Sequence, residues 1–141
     1  MTVAVKRIYE PPARDDGTRV LVDRLWPRGL SKNQAAIDYW FRDLAPSDAL
    51  RKWFHSESRD WAGFRKQYLK ELAQSEAGTA LAELYRLAGT RGRLTLLFAS
   101  KNEVQNNATV LKDLLSGMRK PPTGTGPTAT RVREARRSPR K

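Results

Sequence analysis

Leu94-Thr95-Leu96-Leu97-Phe98-Ala99 is nearly all apolar. A continuous apolar run of this length is the pattern of a strand covered on both faces, as in a parallel sheet with helices on either side. Directly after it, Ser100-Lys101-Asn102-Glu103 has the form of a capping box. Val104, Ala108, Leu111 and Leu115 then share one helical face, and Gly117 ends the helix. A buried strand followed by an amphipathic helix is one half of a parallel crossover unit.

The other elements lie upstream. Val3, Val5 and Ile8 alternate with polar residues and predict a first strand, broken by Pro11-Pro12. Asp16-Gly17 is a turn signal. The next strand is Arg19 to Asp23, closed by Pro27 and Gly29. Residues 36–45 fit either a strand or a short helix, because Ile37, Tyr39 and Phe41 alternate with Asp38, Trp40 and Arg42. Ser47 is placed to cap a helix carrying Leu50, Trp53 and Phe54. Asp60 caps the next, with Trp61, Phe64, Tyr68 and Leu72 at helical spacing. Gly78 is expected to interrupt before a further helix marked by Leu81, Leu84 and Leu87. Strands separated by helices, with a buried central strand, predict an α/β domain with a small, largely parallel sheet. The boundaries expected are a domain over residues 1–118 and a disordered basic tail over residues 119–141, where Pro, Gly, Thr, Arg and Lys dominate.

The net charge is +12 over 141 residues. Residues 119–141 hold eight Lys and Arg and one Glu, so +7 of it belongs to the tail. Such charge favours anionic partners, a small molecule or nucleic acid, or else serves solubility. The chain has no cysteine, which excludes disulfides, thiol catalysis and iron–sulfur clusters, and its one histidine, His55, argues against a structural zinc site. No cofactor is expected, although an oxygen-ligated Mg²⁺ stays open. No apolar run approaches the roughly 18 residues of a membrane span. The N-terminus lacks the basic-then-apolar order of a signal peptide, so the expected location is the cytoplasm. Oligomeric state is not legible.

In α/β domains ligands bind at the carboxyl ends of the strands. Two such ends carry chemistry here. One holds Asp23, Arg24, Trp26 and Arg28, the other Ser100, Lys101 and Glu103, with Asn106 further along the helix. Arg24 and Arg28 offer planar forks suited to carboxylate or phosphate, or brace the loop against a nearby acid. Asp23 can be a general base, a Mg²⁺ ligand or an anchor for Arg28, and the anchor role is favoured. Glu103 is a candidate acid–base group, with capping favoured. Lys101 and the helix start form an anion site in principle. Asn106 reads a ligand's polar edge or bonds a neighbouring loop. Trp26 is the tryptophan placed to stack on a base or sugar, while His55 suits a surface or helix-terminal position. A glycine-rich phosphate loop, a Gly-x-Ser-x-Gly elbow and a Ser/His/Asp set are all missing.

Lys6-Arg7-Ile8-Tyr9, the run from Asp16 through Val22-Asp23-Arg24-Leu25-Trp26-Pro27-Arg28-Gly29, Leu44-Ala45-Pro46-Ser47, Leu50-Arg51-Lys52-Trp53-Phe54, and Leu94 through Glu103 to Asn106 and Ala108 carry a resemblance. Over roughly residues 3–116 the chain resembles the short, YeaO-like branch of the DUF488 family, a family of uncharacterised bacterial and archaeal proteins. The resemblance implies a Rossmann-like α/β fold and no established activity. Longer relatives carry Cys-His-Arg in the helix after the last strand, where this chain reads Asn106-Asn107-Ala108, and the short branch usually has histidine at the place of Asn107. The tail after Arg119 lies outside the family pattern. Three functions follow: a module binding a phosphate-bearing or nucleic-acid ligand, an enzyme acting on such a substrate through Asp23 or Glu103, or a partner-binding protein braced by the charged cluster.

Overall fold

The computed structural model describes residues 2–58, 60–90, 92–117 and 130–131. Its strands are β1 (Thr2–Arg7), β2 (Thr18–Leu21), β3 (Tyr39–Trp40), β4 (Arg93–Phe98) and β5 (Thr130–Arg131). Its helices are α1 (Lys32–Ala35), α2 (Asp48–Trp53), α3 (Trp61–Leu72), α4 (Ser75–Thr90) and α5 (Asn107–Gly117). The sheet order is β1-β4-β2-β3-β5. The first four strands are parallel, and β5 adds two residues antiparallel to β3. The other residues of the expected tail lie outside the described set.

β4 pairs with β1 on one side and β2 on the other, with Thr2 opposite Arg93 and Thr18 opposite Leu94. This central place explains why Leu94 to Phe98 are all buried. Strand alternation divides the core in two. Leu94, Leu96 and Phe98, with Val20 and Val22, face a large cluster built from α2 to α5, including Leu50, Phe64, Tyr68, Leu84 and Leu111. Leu97 and Leu21 face a smaller one with Ile8, Ala35 and Ile37, edged by Trp26, Leu30 and Trp40. The chain is thus an α/β domain, a parallel sheet flanked by helices.

Several elements differ from expectation. Residues 36–45 are neither one strand nor one helix. Tyr39–Trp40 form β3, and a 3₁₀ turn follows at Arg42–Leu44. The turn is fixed by the Tyr68 hydroxyl, which donates to the Leu44 carbonyl. α1 has no counterpart among the expected elements, yet its capping box is present: Ser31 Oγ accepts from Gln34 N at 3.1 Å, and Gln34 Oε1 accepts from Ser31 N at 2.9 Å. Gly78 does not interrupt, since α4 runs through it. Gly78 stands in the first turn of α4, where it is buried with Ala77, Ala80, Leu81 and Leu84 on the same helix. Ser47 and Asp60 cap α2 and α3 as expected, accepting from Leu50 N and Gly63 N. Trp53, expected on the apolar face of α2, is 41% exposed.

The expected capping box at Ser100–Glu103 does not form, because α5 begins only at Asn107, six residues later than a cap at Ser100 would start it. Asn106 caps it instead: its Oδ1 accepts from Thr109 N at 3.0 Å. Asn102 Oδ1 turns the intervening loop by accepting from Val104 N and Gln105 N. Val104 therefore sits on that loop, 76% exposed, rather than on the helix face.

Candidate functional site

β1, β2 and β4 end side by side at Arg7, Leu21 and Phe98, and the groups near those ends are tied together by side chains. Asp23 Oδ2 accepts from Ala99 N at 2.9 Å, and Oδ1 accepts from Asn107 Nδ2 at 3.1 Å. The same Asn107 amide donates to Val22 O at 2.8 Å. One carboxylate thus joins the end of β2, the end of β4 and the first residue of α5. Its main-chain carbonyl accepts from Trp40 Nε1 at 2.7 Å, which fixes β3 to the same point.

Burial pushes the Asp23 carboxyl above its ordinary value, while the Ala99 and Asn107 hydrogen bonds and the Arg51 charge pull against it. Nearby Tyr68 is fully enclosed. Desolvation, then the charges of Asp23 and Glu71, raise its phenol well above its usual value.

A cavity of about 340 Å³ opens over this junction. That volume lies in the range of small-molecule sites. Its wall includes Arg24, Arg28, Arg51, His55 and Asp23, with the apolar residues Trp26, Pro27, Phe54 and Phe64. Gln105, Asn106 and Asn107 supply amides.

The cations are lightly held. Arg24 Nη2 makes one long contact, 3.5 Å, to Ala45 O. Arg51 pairs with Asp48 at 3.5 Å, with both side chains largely exposed. Tyr9 donates to the Arg28 main-chain oxygen at 2.9 Å, which positions the loop and leaves the guanidinium uninvolved. Arg7 is committed to structure: its Nε and Nη2 donate to Ser100 O and Ala99 O, and its guanidinium lies over the Tyr9 ring.

Of the residues singled out from sequence, Asp23, Arg24, Trp26, Arg28 and Asn106 line this cavity. Lys101 and Glu103 do not; both are exposed on the loop before α5. Asn106 is occupied by its own cap, with Nδ2 donating to Asn102 O and Oδ1 accepting from Thr109 N. The Trp26 indole donates to Leu30 O, and its ring meets Trp40 edge-on at 5.4 Å. Sequence reasoning misses Arg51, His55, Tyr9 and Gln105 as site residues. Tyr9 and Arg51 stand inside segments that mark the family resemblance, which is the available signal. His55 carries none, since tertiary packing alone brings it to the wall, while Gln105 falls in the segment from Leu94 to Ala108 with no chemistry that singles it out. Among the described residues no group of three or more His, Cys, Asp and Glu side chains could hold a metal ion.

A family model described as the inactive DUF488-N3 subclade matches residues 2–127. The chain belongs to this DUF488 subclade. The DUF488 match runs past Arg119, so the start of the segment set apart from the family pattern falls inside it. The Escherichia coli K12 protein YeaO, described as uncharacterised, is 48% identical over 119 residues, 84% of this chain and 100% of that protein. Uncharacterised proteins of Mycobacterium bovis and Mycobacterium tuberculosis H37Rv are each 42% identical over 115 residues, 82% of this chain and 94% of theirs. No solved structure matches the chain. Neither the helix position read as histidine in the short DUF488 branch nor its neighbours supply a titratable group here, since Asn106, Asn107 and Ala108 are all neutral.

Proposed function

We propose that the cavity at the strand ends binds a phosphate-bearing anion and that the protein works as a binding module. The observation that carries this reading is that Arg24, Arg28 and Arg51 line one cavity and none of them is committed to a buried ion pair. Guanidinium groups held loosely at the wall of an otherwise apolar pocket suit a multivalent oxyanion. Asp23 is the acid in that wall, and it serves as the clasp between β2, β4 and α5. The family description, an inactive subclade, agrees with binding rather than turnover.

A second reading rests on Asp23 as well. Asp23 lines the cavity and burial lifts its pKa, which is what a general acid–base group needs. Under that reading an Asp23→Asn variant would bind ligand and lose turnover.

The test is thermal stabilisation of the full chain by inorganic phosphate, sugar phosphates and nucleoside monophosphates, since a ligand that binds only the native state raises apparent stability. Stabilisation that Arg28→Ala reduces, with unliganded stability unchanged, supports the pocket. Equal stabilisation of wild type and Arg28→Ala would place the anion elsewhere.

A further inference from the structure

The wall of the cavity divides by exposure. Arg24, Arg28 and Arg51 are exposed, as are Tyr9, Leu25 and His55. Pro27, Ala45, Pro46, Phe54 and Phe64 are wall residues too, yet each is buried, Phe64 to 4% exposure and Phe54 to 9%. A residue that lines the cavity and scarcely meets solvent lies at its base, and one that meets both lies at its mouth. All three arginines are therefore at the mouth, and the base is mostly apolar. An inorganic phosphate held by the arginines alone leaves that base to water.

The base is also aromatic. Phe54 and Phe64 pack with 4.7 Å between ring centroids, while Trp61 and Tyr68, outside the wall, each lie 5.6 Å from Phe64. A ring brought into the cavity meets this cluster through Phe54 and Phe64, and ring pairs contribute beyond the area they bury. The amide nitrogens at the base are already engaged. Asn106 Nδ2 donates to Asn102 O, and Asn107 Nδ2 donates to Val22 O and Asp23 Oδ1. A hydroxyl-rich body would lose its water there and find few partners, which is costly.

We infer that the ligand of this cavity is a phosphate monoester of an aromatic compound, its ring at the base against Phe54 and Phe64 and its phosphate at the mouth among Arg24, Arg28 and Arg51. This rests on the anion reading of the same cavity and adds the class of ligand and the direction in which it enters. A cavity of about 340 Å³ has room for both ends of such a molecule.

The experiment is calorimetric titration of the full chain with matched pairs that share a phosphate and differ in the body: phenyl against cyclohexyl phosphate, and adenosine monophosphate against ribose 5-phosphate. Inorganic phosphate and phenol complete the set. A phosphate contact made outside the cavity, by the basic tail for example, is common to both members of a pair and cancels in their ratio. The aromatic member of at least one pair should bind about ten-fold or more tighter than inorganic phosphate, the scale of burying a ring. It should also bind about two- to ten-fold tighter than its non-aromatic partner, the range of one aromatic pair. Which pair shows the larger ratio separates a ring carried directly on the phosphate from one carried through a sugar. Arg28→Ala should weaken both members of a pair equally, whereas Phe64→Leu should narrow the ratio. Phe64 belongs to the core, so thermal unfolding of that variant is measured first, and the wild-type ratios decide the matter if it does not fold. If each non-aromatic phosphate, or inorganic phosphate itself, binds as tightly as the aromatic esters, this inference fails and the anion reading survives. If phenol binds as tightly as phenyl phosphate, or if no phosphate compound binds, both fail.

Discussion

At the scale of single residues, Asp23 does more for the architecture than any other side chain of the site. Its two oxygens accept from Ala99 N and Asn107 Nδ2. Asparagine at this position has one acceptor oxygen, so one of those donors would face an amide nitrogen. Asp23→Asn should therefore cost about 1–3 kcal/mol, the range for a buried donor left unsatisfied. The pH dependence has a definite sign. The carboxyl is raised in the folded state from its ordinary 3.8, so the native protein holds a proton that the unfolded chain has released. Stability from this group is full below 3.8 and declines as pH rises through the raised value. The gap in unfolding free energy between wild type and Asp23→Asn should narrow as pH rises above about 4. Urea denaturation across the acid range measures it, and a gap that widens with pH would contradict the direction. Asp16 behaves oppositely. Burial opposes its charge, but hydrogen bonds from Ala13 N, Lys6 and Arg19 outweigh that and lower its pKa, so its contribution is lost in acid.

At the scale of elements, the entry to β2 turns on Gly17. Its φ is +68°, and a Cβ there would collide with the Arg93 carbonyl oxygen, which is main chain and cannot move aside without disturbing β4. Gly17→Ala should destabilise the fold by about 1–3 kcal/mol, the scale of a strained backbone conformation, and chemical denaturation will read it. Gly89, where a Cβ would meet nothing within 4 Å, is the control position. The start of α2 is held from outside the helix: Ser47 N and Oγ both donate to Glu71 on α3, at 2.8 and 2.6 Å, while Ser47 Oγ accepts from Leu50 N. Removing that cap by Ser47→Ala should cost about 1 kcal/mol, and because α2 carries Arg51 and leads into His55, ligand binding should weaken along with stability.

At the scale of the whole molecule, charge and core are separated along the chain. Every residue of the two apolar clusters lies at or before Leu115, whereas +7 of the net +12 lies in residues 119–141. A chain ending at residue 118 loses the two-residue β5 but keeps both apolar clusters, so it should keep the cooperative unfolding of the full chain. If the tail binds phosphates, truncation should flatten the dependence of log affinity on log salt by about 0.9 for each phosphate that the tail had neutralised. Titrating a duplex at several salt concentrations with both forms checks this, and equal slopes would clear the tail of any role in binding.

Local sequence was enough to define the parts whose physics is local. Leu94 to Phe98 reads as a strand covered on both faces because β4 has no polar face to show, and it sits at the centre of the sheet. Ser47 and Asp60 read as caps because a short polar side chain before an apolar helical stripe has one favourable use. The site was half legible for the same reason: Asp23, Arg24, Trp26 and Arg28 follow one strand end in one continuous loop. Tertiary structure decided what depends on competition between equal local options. Sequence pattern points to Ser100 as the N-cap, yet Asn106 caps the helix, because Asn107, at the first helical position, bonds Val22 O and the Asp23 carboxylate. That later start of the helix carries Glu103 and Lys101 away from the cavity. It was also the burial of Leu50 and Phe54 in the large apolar cluster, not any motif, that brought Arg51 and His55 to the same opening as Arg24 and Arg28, because residues so distant in sequence meet only when the apolar faces beneath them are buried together.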